Sequence, residues 1–303
     1  MTDWSWNPPQ GSGISLRMAK VNGIELELAE LAAENGNTDR LALCLHGFPE
    51  LNFSWRFQLP MLAARGWRVW APNLRGYGAS SKPKGVAAYH LDHLIADVAA
   101  LIDASGAKEV LLIAHDWGAV IAWQFAIKRA RPLTKLIIMN APHPHIFGRE
   151  LRTWSQLRRS WYALFFQLPW LPEWHAGRGG AAGIGRAIRN MAVDKSAFPP
   201  DVLDVYRRAA ARPGALTAMI NYYRSLFRSG SNKPRGSGRV DVPTLMIWGE
   251  ADKALGIGCA HGTEAYCTDF TLHRLPGVSH WVQQEAPEAV NRLIGEWLGS
   301  ETG

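Results

Sequence analysis

Short apolar runs alternate along the chain with stretches whose apolar residues recur every three or four positions, and the two periodicities predict different elements. Runs with strand character, bounded by Gly, Pro and Asn, cover 14–20, 24–31, 41–46, 67–71, 109–115, 134–140, 243–249 and 270–275. Helical spacing occupies 54–65, 91–104, 117–130 and 286–298. Helices set between strands predict an α/β protein with a mostly parallel eight-stranded sheet covered on its faces by helices.

Between Asn140 and Val242 the strand signal stops. This stretch is rich in Trp, Arg, Leu and Ala and is broken at Pro169, Pro172, 177–185, Pro199-Pro200 and Pro213-Gly214, which predicts an insertion of several helices. The polar, glycine-rich segment S-G-S-N-K-P-R-G-S-G at 229–238 marks its far edge as a linker. The expected division is a core of residues 1–147 and 237–303 and a helical cap of residues 148–236.

Composition narrows the class. A chain of 303 residues, 47% hydrophobic with 14 Trp, is long enough for a deep core and too apolar for a disordered or fibrous protein. The start, M-T-D-W-S-W-N-P-P-Q, lacks the basic-then-apolar pattern of a signal peptide, and the longest apolar stretches are interrupted by residues such as His115 and Asp116. No stable membrane insertion is expected. Cys44, Cys259 and Cys267 form no C-x-x-C pair, which fits a reducing compartment, and the cytoplasm is the default location.

The net charge of +7 is uneven: residues 149–239 hold 16 Lys and Arg against five Asp and Glu, so this segment is +11. Such a bias suits an acidic membrane or a nucleic acid, or is simply the solvated face of a helical insertion. No nucleic-acid motif accompanies it, so no nucleic-acid partner is expected.

The chemistry begins at K-E-V-L-L-I-A-H-D-W-G-A-V-I-A-W, where the pattern changes from strand to helix at Asp116. A nucleophile on such a turn needs small neighbours, and Ala114 and Gly118 supply them. Asp at this point is also a common helix N-cap. Against that, Asp116 follows five apolar residues and His115 at the carboxyl end of a strand, where open α/β sheets hold ligands, and no G-x-S-x-G competes.

The strand L-A-L-C-L ends in H-G-F-P-E at 46–50. Its Gly and Pro let the loop aim the Phe48 N–H at an anion, and with the Trp117 N–H it forms a candidate oxyanion hole. His46 reads as structural. Late in the chain, L-P-G-V-S-H-W places His280 after the last strand, and L-M-I-W-G-E-A-D-K offers Asp252 as its carboxylate, with Glu250 the competitor. The order nucleophile, acid, histidine is that of hydrolase triads. Asn140 is neutral and cannot replace the acid. His143 and His145 have no third ligand nearby, so neither a metal nor another cofactor is expected.

An ionised aspartate suits displacement at saturated carbon, giving an ester of the enzyme that His280-activated water then cleaves. The leaving group decides between substrates: an epoxide oxygen wants tyrosine hydroxyls, a halide wants indole or amide N–H donors.

Taken together, H-G-F-P-E, H-D-W-G, W-G-E-A-D-K-A-L-G and G-V-S-H-W resemble the α/β-hydrolase-fold epoxide hydrolases, and the likeness runs from about residue 20 to the end. The resemblance implies a small apolar epoxide and water as reactants, a cis Phe48-Pro49 peptide, and two cap tyrosines on the epoxide oxygen. It maps these onto Tyr162 in S-W-Y-A-L-F-F-Q-L-P and Tyr223 in A-M-I-N-Y-Y-R, with Tyr222 the adjacent alternative. Ala114 and Asn73 depart from the Gly and Asp usual in that family. Selectivity is expected from Trp154, Trp161, Trp170 and their neighbours around the pocket. Dehalogenation with the same aspartate is the alternative activity, disfavoured for haloalkanes by Phe48 and for haloacids by Trp117 where an Arg is typical, and a non-catalytic binding protein is the distant one. The resemblance leaves monomer and homodimer both open.

Overall fold

The computed structural model describes residues 6–228 and 237–299. Eight strands form one sheet: β1 (Ser15–Val21), β2 (Ile24–Leu31), β3 (Arg40–Leu45), β4 (Arg68–Pro72), β5 (Glu109–His115), β6 (Lys135–Met139), β7 (Thr244–Gly249) and β8 (Phe270–Leu275). Each predicted run matches a strand to within one residue. The order across the sheet is β1-β2-β4-β3-β5-β6-β7-β8, antiparallel among β1, β2 and β4 and parallel from β4 to β8. The centre is closed to water: Leu41–Leu45, Leu111–Ala114 and Leu136–Met139 are fully buried. Covered on both faces, these strands read as unbroken apolar runs, whereas β1 carries exposed polar residues.

Helices α1 (Gln58–Ala63), α2 (Leu91–Ser105) and α3 (Asp116–Ile127) follow β3, β4 and β5. The segment 54–65 is not one helix. A 3-10 turn at Asn52–Trp55 comes first, because Pro60 lacks an N–H and is accommodated only in the first turn of α1. α3 stops short of residue 130, since Arg129 adopts a φ of 49° and turns the chain toward β6.

Between β6 and β7 the described chain is helical: α4 (Pro144–Glu150), α5 (Trp154–Arg159), α6 (Trp161–Phe165), α7 (Leu171–Met191), α8 (Pro200–Ala210) and α9 (Ala215–Arg228). α7 is bent where Gly179, Gly180 and Ala181 take positive φ, inside the predicted break at 177–185. Most of the predicted linker, 229–236, lies outside the described residues. After β8, α10 (Val282–Glu285) and α11 (Pro287–Leu298) close the core, α11 opening on Pro287 in its first turn.

The helical insertion is tied to the core by buried polar contacts. Tyr222 Oη donates to the Arg75 carbonyl at 2.7 Å, Tyr206 Oη to Gln284 Oε1 at 2.6 Å, Trp281 Nε1 to the Ile188 carbonyl at 3.1 Å, and Gln156 Nε2 to the Ala254 carbonyl at 2.8 Å. Among the described residues no helix is long and apolar enough to cross a membrane.

Candidate active site

The connections from β3 to β4 and from β5 to β6 run in opposite directions across the sheet, so the loops after the neighbouring strands β3 and β5 diverge. Such a crevice is where open α/β sheets hold ligands. Asp116 stands there with a φ of 48°, a left-handed conformation that costs a non-glycine residue on the order of 1–3 kcal/mol. The small neighbours have a direct steric cause. A Cβ on Gly118 would sit 2.6 Å from the His46 carbonyl oxygen, and one on Gly47 2.8 Å from Asp116 Cγ. The N-cap alternative does not hold, since His115 occupies the cap position and Asp116 is the first residue of α3. Its Oδ1 accepts instead from the Phe48 N–H at 2.6 Å, at a cis Phe48-Pro49 peptide. Trp117 follows in the first turn of α3, where backbone N–H groups lack intrahelical acceptors.

On the other side of Asp116, Oδ2 lies 3.5 Å from His280 Nε2. His280 Nδ1 is 2.6 Å from Asp252 Oδ2, and both side chains are buried. Asp252 is held in turn: Oδ1 accepts from the Ala254 and Leu255 N–H groups, and Oδ2 from Asn140 Nδ2 at 2.8 Å. Glu250 turns away and pairs with Arg274 at the surface. Asn140 cannot act as an acid, but it joins β6 to the acid loop, also accepting from the Gly249 N–H at 2.8 Å. That positioning contact was not legible in the sequence.

Burial alone would push His280 down, but the charge of Asp252 and the bonds to Asp116 and Asp252 outweigh it and raise its pKa to about 10. For Asp116, burial raises and the His280 bond and charge lower; the balance keeps the carboxylate ionised, below its usual range. Asp252 is likewise held low, burial being outweighed first by the His280 charge. In the free protein the ring is an imidazolium between two carboxylates.

Tyr162 and Tyr223 meet above this group, their rings 5.8 Å apart and nearly perpendicular, with Tyr223 edge-on to both Phe48 and Trp117. Burial, reinforced by the Asp116 charge, raises both phenols and keeps their protons on. Tyr222 points the other way, its hydroxyl spent on Arg75. Arg224 braces the pair, bonding Glu173 from its guanidinium and the Phe166 and Leu168 carbonyls beside α6. Trp154, Trp161 and Trp170 do not shape a pocket: they are 75%, 63% and 69% exposed, because the inward side of α5 and α6 is carried by Gln156, Tyr162 and Phe166.

A second buried network supports the site. Glu50, fully buried, accepts from the Gly47 N–H and faces His115 Nδ1 at 2.7 Å, while Gln283 and Gln284 donate to its other oxygen. The far nitrogen of His115 lies 2.9 Å from the His280 carbonyl, so one carboxylate ties the Phe48 loop, the elbow strand and the histidine loop together. The available signal was a charged residue closing H-G-F-P-E and two amides following S-H-W. His46 is structural, accepting from the Leu74 N–H. Asn73 Nδ2 donates to buried Glu27 at 2.5 Å, a contact an aspartate would replace with carboxylate against carboxylate.

A carboxylate on a strained elbow, with a backbone N–H on one oxygen and a His-Asp pair at the other, at the strand ends of this sheet, places the chain in the class of α/β hydrolases. Residues 43–287 match the α/β hydrolase fold family. The AB hydrolase superfamily protein YfhM of Bacillus subtilis is 37% identical over 290 residues, covering 95% of this chain and 99% of that one. Human epoxide hydrolase 4 is 39% identical over 284 residues, covering 89% and 75%. The crystal structure of Bacillus megaterium epoxide hydrolase in complex with an inhibitor superposes with a TM-score of 0.84 at 30% identity, covering 93% and 99%. The chain belongs to the α/β-hydrolase-fold family, in its epoxide hydrolase branch.

Proposed function

We propose that the protein hydrolyses apolar epoxides to vicinal diols through an ester of Asp116. The observation that carries this reading is a half-buried carboxylate set between a His-Asp pair and two tyrosines, in surroundings that favour its ionised form and keep the phenols protonated. Asp116 Oδ2 attacks an epoxide carbon, and the breaking C–O bond leaves its electron pair on oxygen. Tyr162 and Tyr223 donate hydrogen bonds to that oxygen, and one proton transfers to it. As charge leaves Asp116, the opposition it exerts on these phenols falls away, so they become better donors as the alkoxide forms.

In the second half, water adds to Cγ of Asp116 while His280 takes its proton. Oδ1, held by the Phe48 N–H, becomes the oxyanion, with the Trp117 N–H as its second donor. Donors of this kind contribute about 3–4 kcal/mol each in comparable sites. Collapse breaks the ester, the imidazolium returns its proton to the departing diol oxygen, and the proton left on the Asp116 carboxyl passes to His280, restoring the starting state. Alkylation itself prepares this step: it removes one of the two carboxylates that hold His280 protonated, and the proton the imidazolium then gives up replaces the one lost by the tyrosine.

The helical segment 148–236 serves as the lid over a core of 1–147 and 237–303, and the reaction runs without a metal or other cofactor. The protein works in the cytoplasm as a monomer or homodimer. The test is His280→Gln treated with styrene oxide and weighed intact. The expected product is an adduct of the full epoxide mass on the peptide carrying Asp116. An adduct formed only with haloalkanes, without the halogen, would replace this reading with dehalogenation, and no adduct on folded protein across a broad panel would leave a binding protein.

A further inference from the structure

The outer side of the cap carries large apolar residues. Trp154, Trp161, Trp170 and Trp174 are each more than half exposed, and Leu157, Leu164 and Leu168 are exposed as well. Five of these seven, from Trp154 through Leu157, Trp161 and Leu164 to Leu168, recur at intervals of three, four, three and four, the spacing that gathers side chains on one side of a helix. That stripe belongs against a core, yet here it faces water. Trp170 also sits at a φ of 51°, a strained position for a bulky residue, and gains no burial there. Seven large apolar side chains exposed within residues 154–174 mark contact with another molecule or phase.

The charge around the stripe has one sign. From residue 151 to 193 there are six arginines, 152, 158, 159, 178, 186 and 189, and one acid, Glu173, already paired with Arg224. Arg152, Arg158 and Arg186 are exposed without an ion pair among the described residues, and Arg178 lies 4.6 Å over the Trp174 ring. Indole with guanidinium suits the headgroup layer of a bilayer, where an amphipathic ring meets both phases and a cation meets phosphate.

We propose that the outer face of α5, α6 and the start of α7 docks on an anionic membrane surface, indoles and leucines in the interfacial layer and arginines on lipid phosphates. A second copy of the chain fits poorly, since a two-fold contact would set arginines against arginines. A nucleic acid would engage the arginines and leave the leucines in water. This surface stands whatever reaction the site performs. On the epoxide hydrolase reading, Trp161 and Tyr162 are neighbours on α6, so docking sets the cap against the phase in which an apolar epoxide dissolves.

The test is sedimentation of the full chain with vesicles of phosphatidylcholine, alone or with about 30% phosphatidylglycerol, while following indole emission. The protein is expected to pellet with the mixed vesicles, with emission moving to shorter wavelength, and to bind pure phosphatidylcholine or mixed vesicles at high salt at least about tenfold more weakly. Trp154→Ser/Trp161→Ser/Trp170→Ser is expected to lower binding about a hundredfold with an unchanged melting temperature, because all three rings are already in water. Arg152→Glu/Arg158→Glu should remove the preference for anionic lipid. The proposal is overturned by no pelleting with either vesicle, by undiminished binding of the triple variant, by a dimer in light scattering that this variant disperses, or by tighter retention on DNA than on vesicles.

Discussion

The two half-reactions should separate on a pH axis. His280 is raised to about 10 because it stands between Asp252 at 2.6 Å and Asp116 at 3.5 Å. Converting Asp116 to an ester deletes the second charge. At 3.5 Å and an effective dielectric of about 20, that charge is worth on the order of 5 kcal/mol, which discounted for partial screening still drives His280 down toward neutrality. Nucleophilic attack needs ionised Asp116, which stays ionised below the usual carboxylate range. Ester hydrolysis needs neutral His280. Lowering the pH from about 8 to about 5 should therefore leave alkylation nearly unchanged while hydrolysis slows about tenfold per pH unit once the ester's imidazole is mostly protonated. Rapid-quench single turnovers read by intact mass would show the ester rising from a minor to the major species. A hydrolysis rate flat across that range, or alkylation falling in parallel with it, would refute the charge-coupled account.

The adjacent tyrosines should behave oppositely. Tyr223→Phe or Tyr162→Phe is expected to slow alkylation roughly 10²-fold in stopped-flow indole fluorescence with little change in stability, whereas Tyr222→Phe should cost about 1 kcal/mol of stability and spare alkylation. Asn140→Ala removes contacts to Asp252 and Gly249 in a fully buried setting, and should lower unfolding free energy by about 3 kcal/mol in urea titrations while slowing ester hydrolysis more than alkylation. Gly118→Ala, whose methyl would enter the His46 carbonyl, should cost about 3 kcal/mol or more and reduce soluble yield. Because the folded-state pKa of His280 is raised, its stabilisation is complete below its ordinary pKa and lost as pH rises through about 10. His280→Gln should therefore flatten that alkaline part of the melting-temperature profile.

The central strands β3 to β7 were legible because buried parallel strands must be apolar throughout, and a run such as V-L-L-I-A leaves little else to form. Asp116, His280 and Asp252 could be singled out for a related reason: each closes a motif directly after a strand, so strand position and chain order carried the information. The sequence did not carry side-chain direction. Tyr222 and Tyr223 are consecutive on α9, and only packing against Arg75 on one side and Phe48 on the other separates them. Nor did it carry Glu50, His115, Asn140 and Gln283, whose bonds reach across 65 to 233 positions of chain. The cap tryptophans depart from expectation for the same reason: helical spacing tells which residues share a side, but tertiary packing chooses the side that is buried. In this cap it buries the side bearing Tyr162 and leaves Trp154 and Trp161 facing out.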